Sequence, residues 1–514
     1  MTLVTASQTL AFHGDTAAVF QELSTPHDSL LLESADIQSK DSLNSLAVLT
    51  AAAKVVCQDD EVTATALTAA GQQIVSRLKE QFSHRLLSES AAQATFRFSR
   101  STAIDERERL REQSTVSVLR ALQADAGYSD GMLPFVAGGF AFDYLAGFEE
   151  LPAVADGANT YPDYEFIVAQ ELLHVDHQAG EAHLHVVGVN EGQVDQQLGE
   201  LVCRVHGASD NLQRETSTVG EPNTTFQARA DRTDEEFRGI VEQMKEHVHA
   251  GDIYQIVPAR AFSIPCPDAF AAYRELRAAN PSPYMFYVRG SDYELIGASP
   301  ESNLKYNPET HELQLYPIAG TRPRGLNPDG SLNEELDVRN ELDLRTDSKE
   351  LAEHTMLVDL ARNDLARVCV PGTRKVSALM QVDRYSRVMH LVSRVTGQLD
   401  EGLDALDAYR ACMNMGTLSG APKLMATELL RNAEGTRRGS YGGAVGYLRG
   451  DGAMDNCIAI RSAFIRGSRA IVQAGAGVVR DSSPQAEADE TVHKAFAVLK
   501  AIATAHHAEL EVIQ

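Results

Sequence analysis

Apolar residues recur along the chain at two different spacings, and the spacing distinguishes the predicted helices from the predicted strands. The clearest helix is Asp234–Ala250, and Gly251 follows it as a helix stop. Its apolar residues share one stripe with a helical period: Phe237, Ile240, Val241, Met244 and Val248. Two further long helices are predicted near Asp347–Val368 and Ser483–His506, and residues 61–125 are interpreted as mostly helical.

Shorter apolar runs bounded by turn residues predict strands. The stretch Glu171–Gly188 alternates around a turn and predicts a β-hairpin, and Phe135–Tyr144 predicts a strand pair with glycine at the close approaches. The other predicted strands are Ile253–Phe262, Tyr284–Arg289, Glu294–Ala298, Leu313–Ile318, Gly442–Leu448, Ile458–Ile465 and Arg469–Val478.

The order of these elements is mixed and lacks regular βαβ repetition, which favours an α+β fold with antiparallel sheets flanked by helices. A polar stretch without periodicity, Gly207–Thr225, is interpreted as a long loop or linker. It divides the chain into an N-terminal region, residues 1–225, and a C-terminal region, residues 226–514.

The charge balance argues against two classes of partner. The formal net charge is −26, so nucleic acid and anionic membranes are repelled, whereas a small anion requires a locally positive site. No run approaches the roughly 18 apolar residues of a membrane span.

Location and redox state follow from the N-terminus and the cysteines. Residues Met1–Phe12 lack the basic and apolar regions of a secretory signal, so a cytoplasmic location is expected. The six cysteines show neither C-x-x-C pairs nor zinc-like spacing with histidine, and reduced thiols are expected. They are Cys57, Cys203, Cys266, Cys369, Cys412 and Cys457. Tryptophan is absent.

Two pairs of glutamates are the most informative polar feature. Glu350 and Glu353 lie near the start of one predicted helix, and Glu487 and Glu490 lie near the start of another, so each pair shares a helix face. One interpretation is a Mg²⁺ site, because this ion takes one or two carboxylates plus substrate oxygens. The alternatives are ordinary: Glu350 caps its helix, and Glu490 pairs with Lys494. Spacing alone favours the ordinary alternatives.

Glycine-rich segments and one arginine are candidates for anion binding. The segments are Pro317–Arg322, Gly416–Lys423 and Gln473–Gly477, where backbone N–H groups approach an anion closely, although turn glycines explain the pattern equally well. Gly416–Lys423 lacks the ending of a P-loop, so nucleotide binding is disfavoured. Arg461 lies among apolar residues and needs a partner. From the residues alone, an internal ion pair is favoured over a substrate carboxylate.

Seven segments together resemble the chorismate-utilising enzymes, and within them the large subunits that form anthranilate. The resemblance covers essentially the whole chain, and the number, order and spacing of the segments make it specific. They are Gly251–Ile256, Ala298–Glu301, Pro317–Arg322, Glu350–Asp364, Asp383–His390, Gly416–Lys423 and Gly475–Glu490.

The resemblance implies a fold, a cofactor and a substrate. It implies two packed antiparallel sheets with outer helices and a deep active-site cleft in the C-terminal region. It implies Mg²⁺ bound by Glu353 and Glu490, with Glu350 and Glu487 orienting its waters. The positions that match chorismate contacts are Gly320, Thr321, Tyr441, Arg461, Gly475, Ala476 and Gly477.

The resemblance also implies a reaction in two steps. Ammonia adds to the ring as a hydroxyl leaves, with Glu301 as general acid, and an aminodeoxyisochorismate then loses pyruvate with the help of His390 and Thr417. From the residues alone, His390 is an ordinary core histidine. Gln255 and Ala319 stand where water-activating and nucleophilic lysines occur in related enzymes, which favours direct attack by ammonia. An aminodeoxyisochorismate or aminodeoxychorismate synthase component is the alternative.

The resemblance further implies a partner and an inhibitor. The partner is a glutaminase subunit that supplies ammonia from glutamine, in an expected heterotetramer. The inhibitor is L-tryptophan, and the absence of tryptophan residues fits an enzyme that is needed when tryptophan is scarce. The positions that match its binding site or its control are Leu31, Glu33, Ser34, Asn280, Pro283, Tyr284, Met285 and Cys457. From the residues alone, an ordinary strand and turn explain these segments.

Overall fold

The computed structural model describes residues 3–35, 42–124, 128, 132–211, 224–327, 329, 331–385 and 388–514. The helices are α1 Thr16–Leu23, α2 Ala69–Gln81, α3 Glu106–Arg111, α4 Val116–Gln123, α5 Glu191–Asn211, α6 Asp234–Ala250, α7 Ala269–Ala279, α8 Glu334–Thr346, α9 Ser348–Ala366, α10 Ala405–Cys412, α11 Lys423–Glu434 and α12 Pro484–Ala505, with short 3₁₀ turns at Ser83–Arg85 and Phe142–Gly147. Within these ranges, no helix combines the length and apolar character needed to cross a membrane.

The strands are β1 Val4–Ala11, β2 Ser29–Ala35, β3 Ser42–Gln58, β4 Glu61–Ala66, β5 Leu86–Glu89, β6 Gln93–Arg97, β7 Phe135–Phe140, β8 Tyr164–Asp176, β9 Glu181–Gly188, β10 Thr224–Ala230, β11 Gln255–Ile256, β12 Ala259–Pro265, β13 Tyr284–Arg289, β14 Glu294–Ser299, β15 Ser302–Asn307, β16 Glu312–Leu315, β17 Ile318–Pro323, β18 Lys375–Arg384, β19 Val388–Gln398, β20 Gly420–Ala421, β21 Ala444–Arg449, β22 Met454–Ile458, β23 Ser462–Arg466, β24 Arg469–Gly475 and β25 Ala508–Ile513.

Nearly all the strands join one large sheet that closes on itself, while β11 and β20 form a separate short pair. The strand pairs are antiparallel, apart from the parallel pair β10–β25. The predicted α+β fold with antiparallel sheet and flanking helices is confirmed. Strands from the two predicted regions are interleaved, because β2 pairs with β13 and β7 pairs with β21. The proposed boundary at residue 225 stays a prediction.

The strands bury apolar side chains on both faces of the sheet. Leu30 and Val48 belong to one apolar cluster, while their neighbours Leu31 and Leu49 belong to another. This alternation follows from the two-residue period of a strand. The first cluster also includes residues of α2, α4, α9 and α10, and the second includes residues of α1, α5, α7 and α12.

The long helices agree with the prediction, but three predicted strands are interrupted. The segment 253–262 divides into β11 and β12, and 313–318 divides into β16 and β17; each break contains a proline, Pro258 or Pro317, which has no backbone N–H. The segment 458–465 breaks at Arg461, whose φ of 50° is incompatible with a strand.

Three predictions in the N-terminal half need correction. Residues 61–125 are not mostly helical: β4, β5 and β6 lie among the helices, and alternate residues such as Ala94 and Phe96 are buried. Phe135–Tyr144 forms one strand and a 3₁₀ turn rather than a strand pair, because it contains no turn between two pairing segments. Within the predicted linker 207–225, helix α5 continues to Asn211 and β10 begins at Thr224, while residues 212–223 lie outside the described residues.

A buried arginine joins α6, α12 and β12. The side chain of Arg260 is fully buried, and its guanidinium donates to Asp234 Oδ1 at 2.8 Å and Thr491 Oγ1 at 2.8 Å. It also donates to the carbonyl oxygen of Ala488 at 3.0 Å, and its guanidinium carbon lies 5.2 Å from the ring centroid of Phe237. Because a buried charge requires such partners, this contact fixes the position of α12 against the sheet.

Replacing the carboxylate partner of Arg260 is expected to destabilise the protein. Asp234→Ala leaves the buried guanidinium without its counter-charge. The expected loss is about 2 kcal/mol of unfolding free energy, below the usual range for a buried pair because Asp234 is partly exposed. Denaturant unfolding followed by circular dichroism measures it. The matched control is Glu235→Ala, at an exposed neighbour in the same helical turn. Equal stability of the two variants contradicts the proposed anchoring role.

Candidate active site

One cavity of about 490 Å³ gathers most of the predicted catalytic, substrate-binding and metal-binding residues. Those on its wall are Gln255, Glu301, Gly320, Thr321, Glu350, Glu353, His390, Thr417, Tyr441, Arg461, Gly475, Gly477, Glu487 and Glu490. Ala476 is not on the wall: it is fully buried, and its N–H donates to the carbonyl oxygen of Pro258 at 3.1 Å. Segments far apart in sequence therefore meet at one place.

The two glutamate pairs reach this cavity from the first turns of α9 and α12. Helix α9 is capped by Asp347, whose carboxylate accepts from the N–H groups of Lys349 and Glu350. Helix α12 begins with Ser483 at the N-cap and Pro484 at the first helical position. The prediction that Glu350 caps its helix is therefore wrong, because Asp347 is the cap.

All four glutamates have identified partners in the structure, Glu487 through a hydrogen bond with Ser482. Glu350 accepts from Arg322 Nη1 at 2.8 Å, and Glu353 accepts from Gln255 Nε2 at 2.7 Å. Glu490 pairs with Lys494 at 2.6 Å, as one of the alternatives predicted. The Gln255 side chain is 2% exposed, and its Oε1 atom has no hydrogen-bond partner among the described residues. This leaves an acceptor at the cavity wall that is free to meet a ligand donor.

The close carboxylates shift one another's ionisation. Burial raises the pKa of Glu353, and the nearby charge of Glu350 adds to the effect. Burial and the neighbouring Glu490 likewise raise the pKa of Glu487. The pKa of Glu490 is lowered: burial acts to raise it, but the charge and hydrogen bond of Lys494 outweigh burial. The wall therefore carries negative charge that a cation would stabilise.

The carboxylates suit Mg²⁺ as partial rather than complete ligands. Among the described residues, no three His, Cys, Asp or Glu side chains converge into a ready metal site. Mg²⁺ needs fewer protein ligands than that, because it keeps waters and takes oxygens from its substrate. The oxygen donors of Glu353 and Glu490 fit this hard cation.

Glu301 follows β14 and is 5% exposed. Burial raises its pKa to about 8, although a hydrogen bond from Thr417 Oγ1, 3.0 Å from Glu301 Oε1, acts in the opposite direction. At pH 7 this carboxyl therefore retains its proton in most molecules. A protonated carboxyl on a cavity wall can act as a general acid.

Arg461 and His390 lie on the same cavity. Arg461 adopts a φ of 50°, a costly conformation for a residue with a side chain, which places it between β22 and β23. Its Nη1 donates to the carbonyl oxygen of Lys494 at 3.0 Å. Among the described residues it has no carboxylate within 4.0 Å, so the predicted internal ion pair is wrong. A cationic group remains available for an anion.

His390 pairs with Thr321 across β17 and β19, and its Nδ1 atom lies 2.9 Å from Thr321 Oγ1. Burial, together with the charge of Arg461, lowers the pKa of His390 to about 4. The imidazole is therefore neutral near pH 7, and a neutral imidazole can accept a proton.

Two glycines keep the wall open. Gly320 has a φ of 88°, and a Cβ there would lie 3.0 Å from Leu344 Cδ1 and 3.2 Å from Glu350 Oε2. A Cβ at Gly475 would lie 2.8 Å from the carbonyl oxygen of Pro258 and 3.1 Å from the Tyr441 hydroxyl. Any larger residue displaces these groups.

A second cavity, of about 400 Å³, gathers most residues predicted to bind the inhibitor. Its wall includes Glu33, Ser34, Pro283, Tyr284, Met285 and Cys457. Leu31 and Asn280 do not line it: Leu31 points into the cluster beneath the helices, and Asn280 ends α7. The two cavities are close, because Cys457 pairs with Ser302 and the N–H of Ile458 donates to the carbonyl oxygen of Glu301 at 3.0 Å.

Three basic or titratable residues on the first cavity were not predicted to lie there. Lys349 and Lys494 supply positive charge, and His493 lies between the α12 glutamates and Lys494. Lys494 donates to the carbonyl oxygen of Gly475 at 2.9 Å as well as to Glu490. In the sequence, Lys494 lies four residues after Glu490. That spacing predicts an ion pair on a helix surface, and it gives no indication that Lys494 lines a cavity.

Comparison with known proteins identifies the family of the chain. The chorismate binding enzyme family matches residues 66–500, and the chain belongs to this family. Relatives within it are named anthranilate synthase component 1. The protein of Escherichia coli (strain K12) is 48% identical over 97% of this chain and 96% of its own length. That of Vibrio parahaemolyticus is 49% identical over 93% of this chain and 89% of its own length.

A solved structure shares the fold. The crystal structure of anthranilate synthase component I from Streptococcus pneumoniae TIGR4 superposes with a TM-score of 0.71 at 27% identity. The alignment covers 90% of this chain and 94% of the other. The chorismate-utilising fold is therefore shown.

The raised pKa of Glu301 predicts a titration near pH 8. Its protonated form declines as pH rises through about 8, and isotope-edited infrared spectroscopy detects the loss of the carboxylic acid band. Glu301→Gln removes the band. Thr417→Val moves the midpoint to higher pH, because it deletes a hydrogen bond that favours the ionised form. Thr355→Val, at an exposed threonine of α9, is the control. A midpoint in the ordinary carboxyl range, about 4, refutes the assignment.

Proposed function

We propose that the chain is the chorismate-converting subunit of an anthranilate synthase, which forms anthranilate, pyruvate and water from chorismate and ammonia. One observation carries the proposal: a protonated carboxyl, a neutral histidine, an unpaired arginine and two glutamate pairs line one cavity. The names of relatives that are 48% and 49% identical support the same activity. The reaction is the first step of tryptophan biosynthesis.

Substrate binding requires two positive groups, because chorismate is a dianion. In the proposal, Arg461 binds one carboxylate together with backbone N–H groups of Gly475 and Gly477. Glu353 and Glu490 would hold Mg²⁺, which would supply the positive charge for the other carboxylate, with Glu350 and Glu487 beside it. When bound, Mg²⁺ neutralises charge on the substrate and the glutamates.

Glu301 acts first. Its proton passes to the departing hydroxyl, which leaves as water while ammonia forms a bond to C2 of the ring. Thr417 orients the Glu301 carboxyl through their 3.0 Å contact. The free Oε1 of Gln255 offers an acceptor for an N–H of ammonia, and the neutral amide of Gln255 does not activate water as a lysine would.

His390 acts second. The intermediate, an aminodeoxyisochorismate, loses its C2 proton to the neutral imidazole, and the enolpyruvyl C–O bond breaks as the ring becomes aromatic. The enolpyruvyl group then takes up a proton and leaves as pyruvate. Thr321, 2.9 Å from Nδ1, fixes the ring of His390 for this transfer. A bound anion stabilises the protonated imidazole that forms.

The ammonia is proposed to come from a glutaminase subunit in a heterotetramer located in the cytoplasm. The name "component 1" of the relatives implies a second component. Five of the six cysteines of this chain are buried, and none has the glycine-flanked setting of a glutaminase nucleophile. An aminodeoxyisochorismate or aminodeoxychorismate synthase component is less favoured, given the names of the relatives and Ala319 in place of a nucleophilic lysine.

L-tryptophan is proposed to inhibit the enzyme from the second cavity. Its wall combines the carboxylate of Glu33 with Met285 and Tyr284, which suits an ammonium group and an aromatic ring. Glu33 is held by Tyr273 at 2.6 Å and Arg277 at 2.8 Å. Binding there reaches Glu301 through the neighbouring strand β22.

Product analysis tests the proposed reaction. With chorismate, Mg²⁺ and ammonium, the purified chain is expected to release anthranilate and pyruvate in equal amounts; with glutamine instead of ammonium it releases neither. His390→Met is expected to slow pyruvate release by about 100-fold or more and accumulate aminodeoxyisochorismate, detected by mass spectrometry. His206→Met, at an exposed histidine of α5 outside the cavity, is the control and behaves as the parent. Release of the amino intermediate as the parent's final product overturns the proposal.

Tryptophan titration tests the proposed inhibitor cavity. L-tryptophan is expected to inhibit the ammonium-dependent reaction of the parent chain. Ser34→Leu, which places four carbons in the cavity, is expected to raise the half-inhibitory concentration at least tenfold. Ser7→Leu on the exposed part of β1 is expected to leave it unchanged. Full activity of the parent at millimolar tryptophan, or equal inhibition of both variants, contradicts this site.

A further inference from the structure

A third cavity, of about 360 Å³, shares no wall residue with either cavity described above. It lies between α3, the 3₁₀ turn Phe142–Gly147 and the C-terminal end of α10. Its size is sufficient for a small organic molecule. The proposed reaction uses none of its residues.

Its polar wall carries six arginines and seven acidic residues, and four of the arginines are neutralised by ion pairs. Their ion pairs are Arg109 with Glu149 at 3.6 Å, Arg431 with Asp143 at 2.8 Å, Arg367 with Glu106, and Arg437 with Asp163. Each of these cations therefore has a structural role in joining neighbouring segments. Arg100, at the exposed edge, donates instead to backbone carbonyl groups.

Arg410 differs from these arginines. It is 4% exposed, and among the described residues no carboxylate lies within 4.0 Å of its guanidinium. Its Nη1 donates to the carbonyl oxygen of Leu110 at 3.2 Å, while Nε is buried without a hydrogen-bond partner. Asp407, one helical turn earlier, is held by Arg120 at 2.7 Å instead.

A buried guanidinium without a counter-charge is costly, because arginine does not lose its proton in proteins. An anion in the cavity would compensate that cost by accepting N–H···O bonds from the guanidinium, which carboxylates and phosphates readily do. A second polar atom on the wall, Ser114 Oγ, is also buried without a partner. Two donors on one wall thus lack acceptors.

The rest of the wall selects among anions. Phe98, Tyr144 and Phe148 contribute aromatic surface, and the Phe148 ring centroid lies 5.1 Å from the Arg410 guanidinium carbon. The Tyr144 hydroxyl is already engaged with Thr115 at 2.7 Å, so the tyrosine offers the cavity its ring. Aromatic surface favours a planar apolar group over a hydrated inorganic ion.

We propose that this cavity binds a small aromatic carboxylate, whose carboxylate accepts hydrogen bonds from Arg410 and Ser114 and whose ring packs against Phe148. The assignment concerns a site that the proposed reaction does not need. Its success or failure therefore leaves the proposed function untouched.

Benzoate binding, measured by isothermal titration calorimetry on the full chain, tests the proposal. Because benzoate also suits Arg461, the parent for this experiment is Arg461→Met. That variant is expected to bind one benzoate, and adding Arg410→Met is expected to weaken binding at least tenfold. Arg410→Lys, which keeps the charge but loses the planar fork, is expected to bind with intermediate affinity. Acetate and inorganic phosphate are expected to bind at least tenfold more weakly than benzoate.

Three results would overturn the proposal: no benzoate binding to Arg461→Met, equal binding after Arg410→Met, or tighter binding of phosphate than of benzoate. If Arg410→Met does not fold, as judged by circular dichroism, Ser114→Phe replaces it. This variant keeps Arg410 but fills the cavity, so it is expected to abolish benzoate binding. Retained binding in a folded Ser114→Phe protein refutes the site.

Discussion

The structure depends on one constraint: carboxylates of like charge must be held close together in a partly buried cavity. Helices α9 and α12 bring two glutamate pairs to one cavity, and within each pair one carboxylate raises the pKa of the other. The arrangement persists because each helix is fixed elsewhere: α9 by the Asp347 cap and α12 by the Arg260 contacts. Stability from packing thus maintains a site that is electrostatically unfavourable until ligands arrive.

Burial explains why the two catalytic candidates, Glu301 and His390, differ in whether they carry a proton. Burial leaves Glu301 neutral because its surroundings offer one hydroxyl and only distant cations. Burial also leaves His390 neutral, since the nearby arginine opposes a second positive charge. One acid that keeps its proton and one base that lacks one therefore coexist at neutral pH, although their ordinary pKa values would predict the reverse for the acid.

Much of the fold was predictable from the sequence, because helical periods and short apolar runs are local signals. The bounds of α6 and β13 agree with the structure residue for residue. Local signals failed where backbone chemistry interrupts a run, as at Pro258, Pro317 and Arg461. The residue types of the site were visible, yet spacing alone favoured surface glutamates, an ion-paired Arg461 and a core histidine. Their convergence depends on contacts between distant segments, which periodicity does not encode; resemblance to a family supplied that information.

The backbone hydrogen bond between Ile458 and Glu301 has an evolutionary consequence. Consecutive residues of β22 face the proposed inhibitor cavity and bond to the proposed acid Glu301, so in this proposal inhibitor binding and catalysis share one strand. A substitution at Cys457 that changes the response to an end product therefore also perturbs the acid beside it. Under the proposed inhibition, natural selection is expected to adjust feedback mainly at Ser34, because β13 separates β2 from β14, the strand that leads to Glu301.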